Sequence, residues 1–145
     1  QAHQGGSLME GFKLVSEVPV RFSDTDGLGH VNNANYLSFL EVSRIDYLQK
    51  VLDCVEIKEF GVIIARVEID YKSPAFHHEK VLVGCRVTEI GGASILMEYR
   101  LEDKATGRLI AEAKSVMVTF DYGLGRPMRV SEEWRKKMED YDGIS

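Results

Sequence analysis

Between Arg21 and Tyr36 the chain gathers two carboxylates, an imidazole and two amide side chains: Asp24, Asp26, His30, Asn32 and Asn33. Gly27 and Gly29 lie among them, and an apolar helical pattern begins at Tyr36. Backbone N–H groups at a helix start lack intrahelical acceptors and carry partial positive charge. Such amides can stabilise an oxyanion. A carboxylate held beside them can act as a general base or as a nucleophile. The stretch therefore has the parts for cleaving an ester or thioester without a serine or cysteine nucleophile.

Each residue also has a plainer role. Asp24 reads as structural, accepting loop amide bonds. Asp26 could be a loop residue, and Asn32 or Asn33 a helix cap. His30 could be a general acid, a substrate-orienting donor, or a residue that bonds loop carbonyls. The spacing Asp24-x-Asp26-x-x-Gly29 begins like a calcium loop. Its fifth position is then Leu28 and its twelfth Asn35 rather than Glu, and no helix precedes it, so no calcium site is expected. His77-His78-Glu79 has no further ligand at a metal-site spacing and reads as a polar turn after Pro74. Cys54 and Cys85, far apart and without CxxC spacing, read as reduced core thiols. No metal is expected.

The elements that must position this loop follow from hydrophobic periodicity. Leu14 to Phe22 alternates as a strand, with Pro19 marking an edge or a bulge. Tyr36 to Leu52 has no Gly or Pro. Its apolar residues cover more than one stripe, which predicts a helix buried on most sides. Period-two patterns follow in Val62–Tyr71, Lys80–Ile90, Ser94–Leu101 and Leu109–Phe120. Turns fall at Gly91-Gly92 and at Asp103–Gly107. A short helix from Ser131 to Met138 closes the chain, with Ser131 as its N-cap. The expectation is an α+β domain: one strand, a central helix, then four strands as an antiparallel meander. Glu41 and Arg44, three apart on the helix, could pair with each other or across a subunit contact.

Composition narrows the classes. The 145 residues suit one domain, with 44% hydrophobic and 28% charged residues as in ordinary globular proteins. Residues 1–8 read as a vector-derived leader before a natural start at Met9, leaving 9–145 as the domain, and His3 carries no functional weight. A net charge of −5 argues against nucleic acid as a partner. No apolar run is long enough to cross a membrane. With no signal-peptide pattern, a cytoplasmic location is expected.

The stretch resembles the signature of hotdog-fold acyl-CoA thioesterases related to 4-hydroxybenzoyl-CoA thioesterase: Asp-x-Asp-x-x-Gly-His-Val-Asn-Asn-x-x-Tyr, then a helix carrying Glu and Arg. Asp24, Asp26, Gly29, His30, Val31, Asn32, Asn33, Tyr36, Glu41 and Arg44 all match. Ile69–Ala75 resembles the end of the family's second strand. The resemblance implies a hotdog fold: an antiparallel sheet wrapped around one long buried helix, with a short C-terminal helix. It implies an acyl-CoA thioesterase with Asp26 as general base or nucleophile, and Asn33 near the oxyanion-binding amide. Asn32, Gly29, Tyr36, Glu41 and His30 complete the expected site, with Glu41 as the alternative carboxylate. No cofactor is implied beyond CoA as part of substrate or product. A homodimer or homotetramer is implied, its active site drawing on two subunits. The His-Val-Asn-Asn form is also similar to plant acyl-carrier-protein thioesterases, so either carrier remains open. Rival readings are a dehydratase, a non-catalytic acyl-CoA-binding module and a scaffold without ligand.

Overall fold

The structure is a computed structural model that describes residues 9–27, 29–54 and 61–144. The expected leader, residues 1–8, lies outside them. Among the described residues, six strands and two α-helices follow in chain order: β1 Leu14–Pro19, α1 Tyr36–Lys50, β2 Val62–Tyr71, β3 Lys80–Ile90, β4 Ser94–Asp103, β5 Leu109–Asp121, β6 Arg126–Pro127 and α2 Glu132–Asp142.

The sheet is antiparallel, in the order β1-β3-β4-β5-β2, with β6 pairing β5. This corrects the expected four-strand meander. Only β3, β4 and β5 are joined as consecutive hairpins, and β2 lies at the far edge beside β5. Alternation along a strand shows which face is buried but not which strand is its neighbour, so β2 and β3 read from sequence as adjacent. The two-residue β6 was also missed, because so short a strand has no periodicity. β1 is an edge strand that ends at Pro19, where a missing N–H does no harm. Phe22, expected within it, belongs instead to a short 3-10 turn and is exposed.

One face of the sheet carries the core. Val81, Val83, Cys85 and Val87 of β3 and Ile95, Met97, Tyr99 and Leu101 of β4 are all buried on that face, at the period of two read from the sequence. Helix α1 lies over β1 and β3. It buries Tyr36, Phe39, Leu40, Ser43, Tyr47 and Leu48. It is buried along this face only, rather than on most sides, and Leu37 and Val42 stand exposed. Helix α2 is capped by the Ser131 hydroxyl, which accepts the Trp134 amide at 3.1 Å, and ends at Gly143 with φ 69°. Its last residue, Asp142, accepts the Tyr47 hydroxyl at 2.5 Å and the Val87 amide at 2.9 Å, tying α2 to α1 and β3. Burial, with the Asp142 carboxylate beside it, pushes the Tyr47 phenol far above its usual range.

Candidate active site

The acidic loop folds back on itself. Thr25 and Val31 form an antiparallel bridge, the Asp26 amide donates to the His30 carbonyl at 2.9 Å, and the Gly29 amide returns to the Asp26 carbonyl at 3.2 Å. Gly29 adopts φ +91°, a conformation L side chains rarely take, so glycine is required at this turn. Asp26 and His30 thereby face each other. His30 Nδ1 lies 3.5 Å from Asp26 Oδ2, and each side chain is about one-third exposed.

Asp24 has the structural role read from its sequence context. It is 4% exposed, and its Oδ2 accepts the Arg21 amide at 2.8 Å while its Oδ1 takes the Arg21 guanidinium at 3.1 Å. Burial pushes this carboxyl up, but the side-chain and backbone bonds from Arg21 outweigh it and hold the group below its ordinary range. The Asp24 carbonyl accepts the Asn32 amide and the Asn35 side chain, both at 3.0 Å. These bonds fix where the loop delivers the chain into α1.

The helix start is a 3-10 turn, Asn33–Asn35, that runs into α1. Asn32 caps it: its Oδ1 accepts the Ala34 amide at 2.9 Å. Among the described residues the neighbouring amide of Asn33 has no protein acceptor. An unpaired donor at a helix start, on the same cleft as His30, is the kind of group an oxyanion needs.

A second wall comes from the chain after β2. His30 and Phe76 form an antiparallel backbone bridge, the Val31 amide donates to the Ala75 carbonyl at 2.8 Å, and the His77 backbone amide donates to the Gly29 carbonyl at 3.2 Å. The Tyr36 hydroxyl accepts the Ala75 amide at 3.0 Å, and the Tyr36 ring meets Tyr71 edge-on at 5.2 Å. Burial raises the Tyr36 phenol above its usual range, with the Ala75 amide working against that shift. Tyr71 reaches over to donate to the Asn33 carbonyl at 3.2 Å. Arg108 clamps the turn. Its guanidinium holds both carboxylate oxygens of Glu79, at 3.1 and 2.9 Å, together with the Pro74 carbonyl and the Ser73 hydroxyl.

Between the walls lies a cleft of about 310 Å³ lined by His30, Val31, Asn33, Tyr36 and the segment Tyr71–Pro74. Of the residues expected in the site, His30, Asn33 and Tyr36 line this cleft. Asp26 sits behind His30, and Gly29 and Asn32 shape the loop. Glu41 does not reach the cleft, and among the described residues it makes no ion pair with Arg44. Arg44 turns instead to the Tyr99 hydroxyl at 3.3 Å. Sequence reasoning missed Tyr71, Lys72 and Arg108 as site residues. The likeness of Ile69–Ala75 to a family strand end was the available signal for the first two. Arg108, which follows the Asp103–Gly107 turn, has none. A larger hollow, about 490 Å³, lies among Arg86, Glu98, Arg100 and Glu112. Its charges are paired with one another across the strands, and it is remote from the loop. Among the described residues no three His, Cys, Asp or Glu side chains are grouped to hold a metal. No described helix is long and apolar enough to cross a membrane.

Known proteins share this architecture. A thioesterase from Thermus thermophilus, solved with coenzyme A and zinc, superposes with a TM-score of 0.84 at 36% identity, covering 93% of this chain and 98% of that one. The long-chain acyl-CoA thioesterase FadM of Escherichia coli is 25% identical over 128 residues, 87% of this chain and 97% of its own. The chloroplastic acyl-acyl carrier protein thioesterase ATL3 of Arabidopsis thaliana is 30% identical over 137 residues, 92% of this chain and 71% of its own. The fold is the hotdog fold that the sequence resemblance implied. Residues 20–138 match the thioesterase-like superfamily, and the chain belongs to that family.

Proposed function

We propose that this protein hydrolyses an acyl-CoA thioester to the free acid and CoA, with Asp26 as the catalytic carboxylate. The observation that carries the reading is the pairing of the Asp26–His30 loop with the unpaired Asn33 amide at the mouth of one cleft. In this reading the thioester carbonyl lies in the cleft with its oxygen toward the Asn33 amide. Asp26 either takes a proton from an attacking water or attacks the carbonyl carbon to form an acyl anhydride that water then opens. In both routes the C–S bond breaks, the CoA thiolate leaves, and the carbonyl oxygen carries negative charge in the intermediate. His30, between Asp26 and the cleft, orients the carboxylate or the water. Gly29 and Asn32 hold the loop and the cap, and the Tyr36 ring forms the cleft floor. Glu41 is the carboxylate that would replace Asp26 if the loop acid proves dispensable. The chemistry needs no cofactor or metal beyond the CoA carried by the substrate. We further propose a cytoplasmic enzyme that works as a homodimer or homotetramer.

A carrier-protein thioester is the second reading, favoured by the 30% identity with the plant enzyme. A direct test follows thiol release from short, long and aromatic acyl-CoAs and from acyl carrier protein loaded with the same chains. Turnover of acyl-CoA supports the first reading, and turnover of the carrier-protein thioester alone supports the second. Tight acyl-CoA binding without release from either would make the protein a binding module.

A further inference from the structure

The free amide of Asn33 stands in a 3-10 turn, whose hydrogen bonds are poorer in geometry than those of an α-helix and hold their residues less firmly. Its neighbours are tied from outside the turn. The Asn32 amide and the Asn35 side chain both bond the Asp24 carbonyl. The Asn33 side chain makes no hydrogen bond among the described residues. The Asn33 carbonyl does: besides the Tyr36 amide within the turn, it accepts the Tyr71 hydroxyl at 3.2 Å. Among the described residues Tyr71 is therefore the one side chain that grips Asn33 from beyond the turn, and it does so from the opposite wall of the cleft.

The grip starts from a fixed base. Tyr71 is the last residue of β2, paired with Ala111 of β5, and its ring packs edge-on against Tyr36 at 5.2 Å. Tyr36 is in turn pinned by the Ala75 amide at 3.0 Å. Yet Tyr71 is 47% exposed, so water can serve its hydroxyl as well as the Asn33 carbonyl does. The carbonyl keeps the Tyr36 amide if the phenol is lost. The bond thus adds little to the stability of the fold. What it fixes is direction. A hydrogen bond weakens steeply once the angle at its donor falls below about 120°, so a small turn of Asn33 decides whether its N–H serves an oxyanion.

We infer, on the thioester-cleaving reading proposed above, that Tyr71 is a positioning residue: its hydroxyl, by holding the Asn33 carbonyl from across the cleft, keeps the Asn33 N–H aimed at the developing oxyanion. Tyr71 acts through the backbone of Asn33 and not on the reacting atoms. The N–H and the carbonyl belong to one residue, so fixing the second fixes the first. Without the strut the N–H swings out of line, and only the fraction of molecules that hold it in line gains its full stabilisation in the transition state. Ground-state binding of the thioester is left to the rest of the cleft. Loss of the hydroxyl therefore falls on kcat and spares KM.

The test follows thiol release from the best thioester substrate by the wild type, Tyr71→Phe, Asn33→Pro and the double variant, with thermal melts alongside. Proline suits position 33: it opens the turn, its N–H has no protein acceptor among the described residues, and Asn32 before it is already extended at ψ 134°. Asn33→Pro removes the donor itself and is expected to lose about 10²–10³-fold in kcat. Tyr71→Phe is expected to lose about 10-fold in kcat, with KM within about two-fold and the melting temperature within about 2 °C of the wild type. Adding Tyr71→Phe to Asn33→Pro is expected to lower kcat no further, since no N–H is left to aim. Wild-type kcat in Tyr71→Phe, a loss confined to KM, or a second full 10-fold loss on top of Asn33→Pro would overturn the inference and leave the hydrolase reading standing. The split between kcat and KM in Tyr71→Phe decides the matter even if Asn33→Pro folds poorly. Wild-type kcat in a folded Asn33→Pro would overturn the oxyanion role of that amide and the role of Tyr71 with it. A wild type that releases thiol from no thioester would overturn the hydrolase reading as well.

Discussion

The Tyr36 hydroxyl accepts the Ala75 amide at 3.0 Å, and the Ala75 carbonyl accepts the Val31 amide at 2.8 Å. One buried residue pair thus joins the start of α1, the chain after β2 and the acidic loop. Tyr36 is 2% exposed and Ala75 fully buried. The phenol is a structural pin before it is a contact for substrate.

Replacing Tyr36 by Phe keeps the ring and strands the Ala75 N–H. A buried donor left unsatisfied costs about 1–3 kcal/mol. Urea denaturation of Tyr36→Phe is expected to show a loss in that range, with the slope of the transition unchanged. A variant as stable as wild type would mean that the Ala75 amide finds another acceptor.

Asp24 links the loop to pH. Its carboxyl is held below the ordinary Asp value by Arg21, so its stabilisation is fully present above the unfolded-state pKa, about 3.9. That contribution fades as pH falls through the lower folded-state value. Asp24→Asn is expected to lower stability near neutrality and to flatten the acid limb of the stability–pH curve. Thermal melts from about pH 7 down to the acid transition test this. Parallel curves for wild type and variant would contradict it.

Arg108 acts on the cleft through Glu79 and the Pro74 carbonyl. Arg108→Lys keeps the charge but loses the two-pronged grip that a guanidinium alone provides. Displacing the Ser73–Pro74 side of the cleft is expected to lower kcat on the order of 10-fold while changing KM little, since small misplacements at a reacting site are costly. Steady-state kinetics on the best thioester substrate separate the two. A change confined to KM would place Arg108 in substrate binding instead.

Much of this was legible in the sequence. The β3 and β4 alternation at Val81–Val87 and Ile95–Leu101 is a local signal, and the structure keeps it residue by residue. The acidic loop was legible because Gly29, Asn32 and Asp24 are residues that turns and caps require. The place of β2 was not, because strand order depends on contacts distant in sequence that periodicity does not encode. Nor was the role of Arg108: its partners Glu79 and Pro74 lie 29 and 34 residues away. Helix α1 read as buried on most sides because Leu37 and Val42 are apolar. In the single chain both are exposed.

The central claim is that Asp26 is the catalytic carboxylate. Thiol release by wild type, Asp26→Asn and Glu41→Gln, measured side by side on the best acyl thioester, tests it most directly. Both substitutions keep side-chain size and remove charge. The account predicts that Asp26→Asn loses about 10²–10⁴-fold in kcat, while Glu41→Gln loses far less. Full activity in Asp26→Asn together with collapse in Glu41→Gln would contradict it and move the chemistry onto the helix.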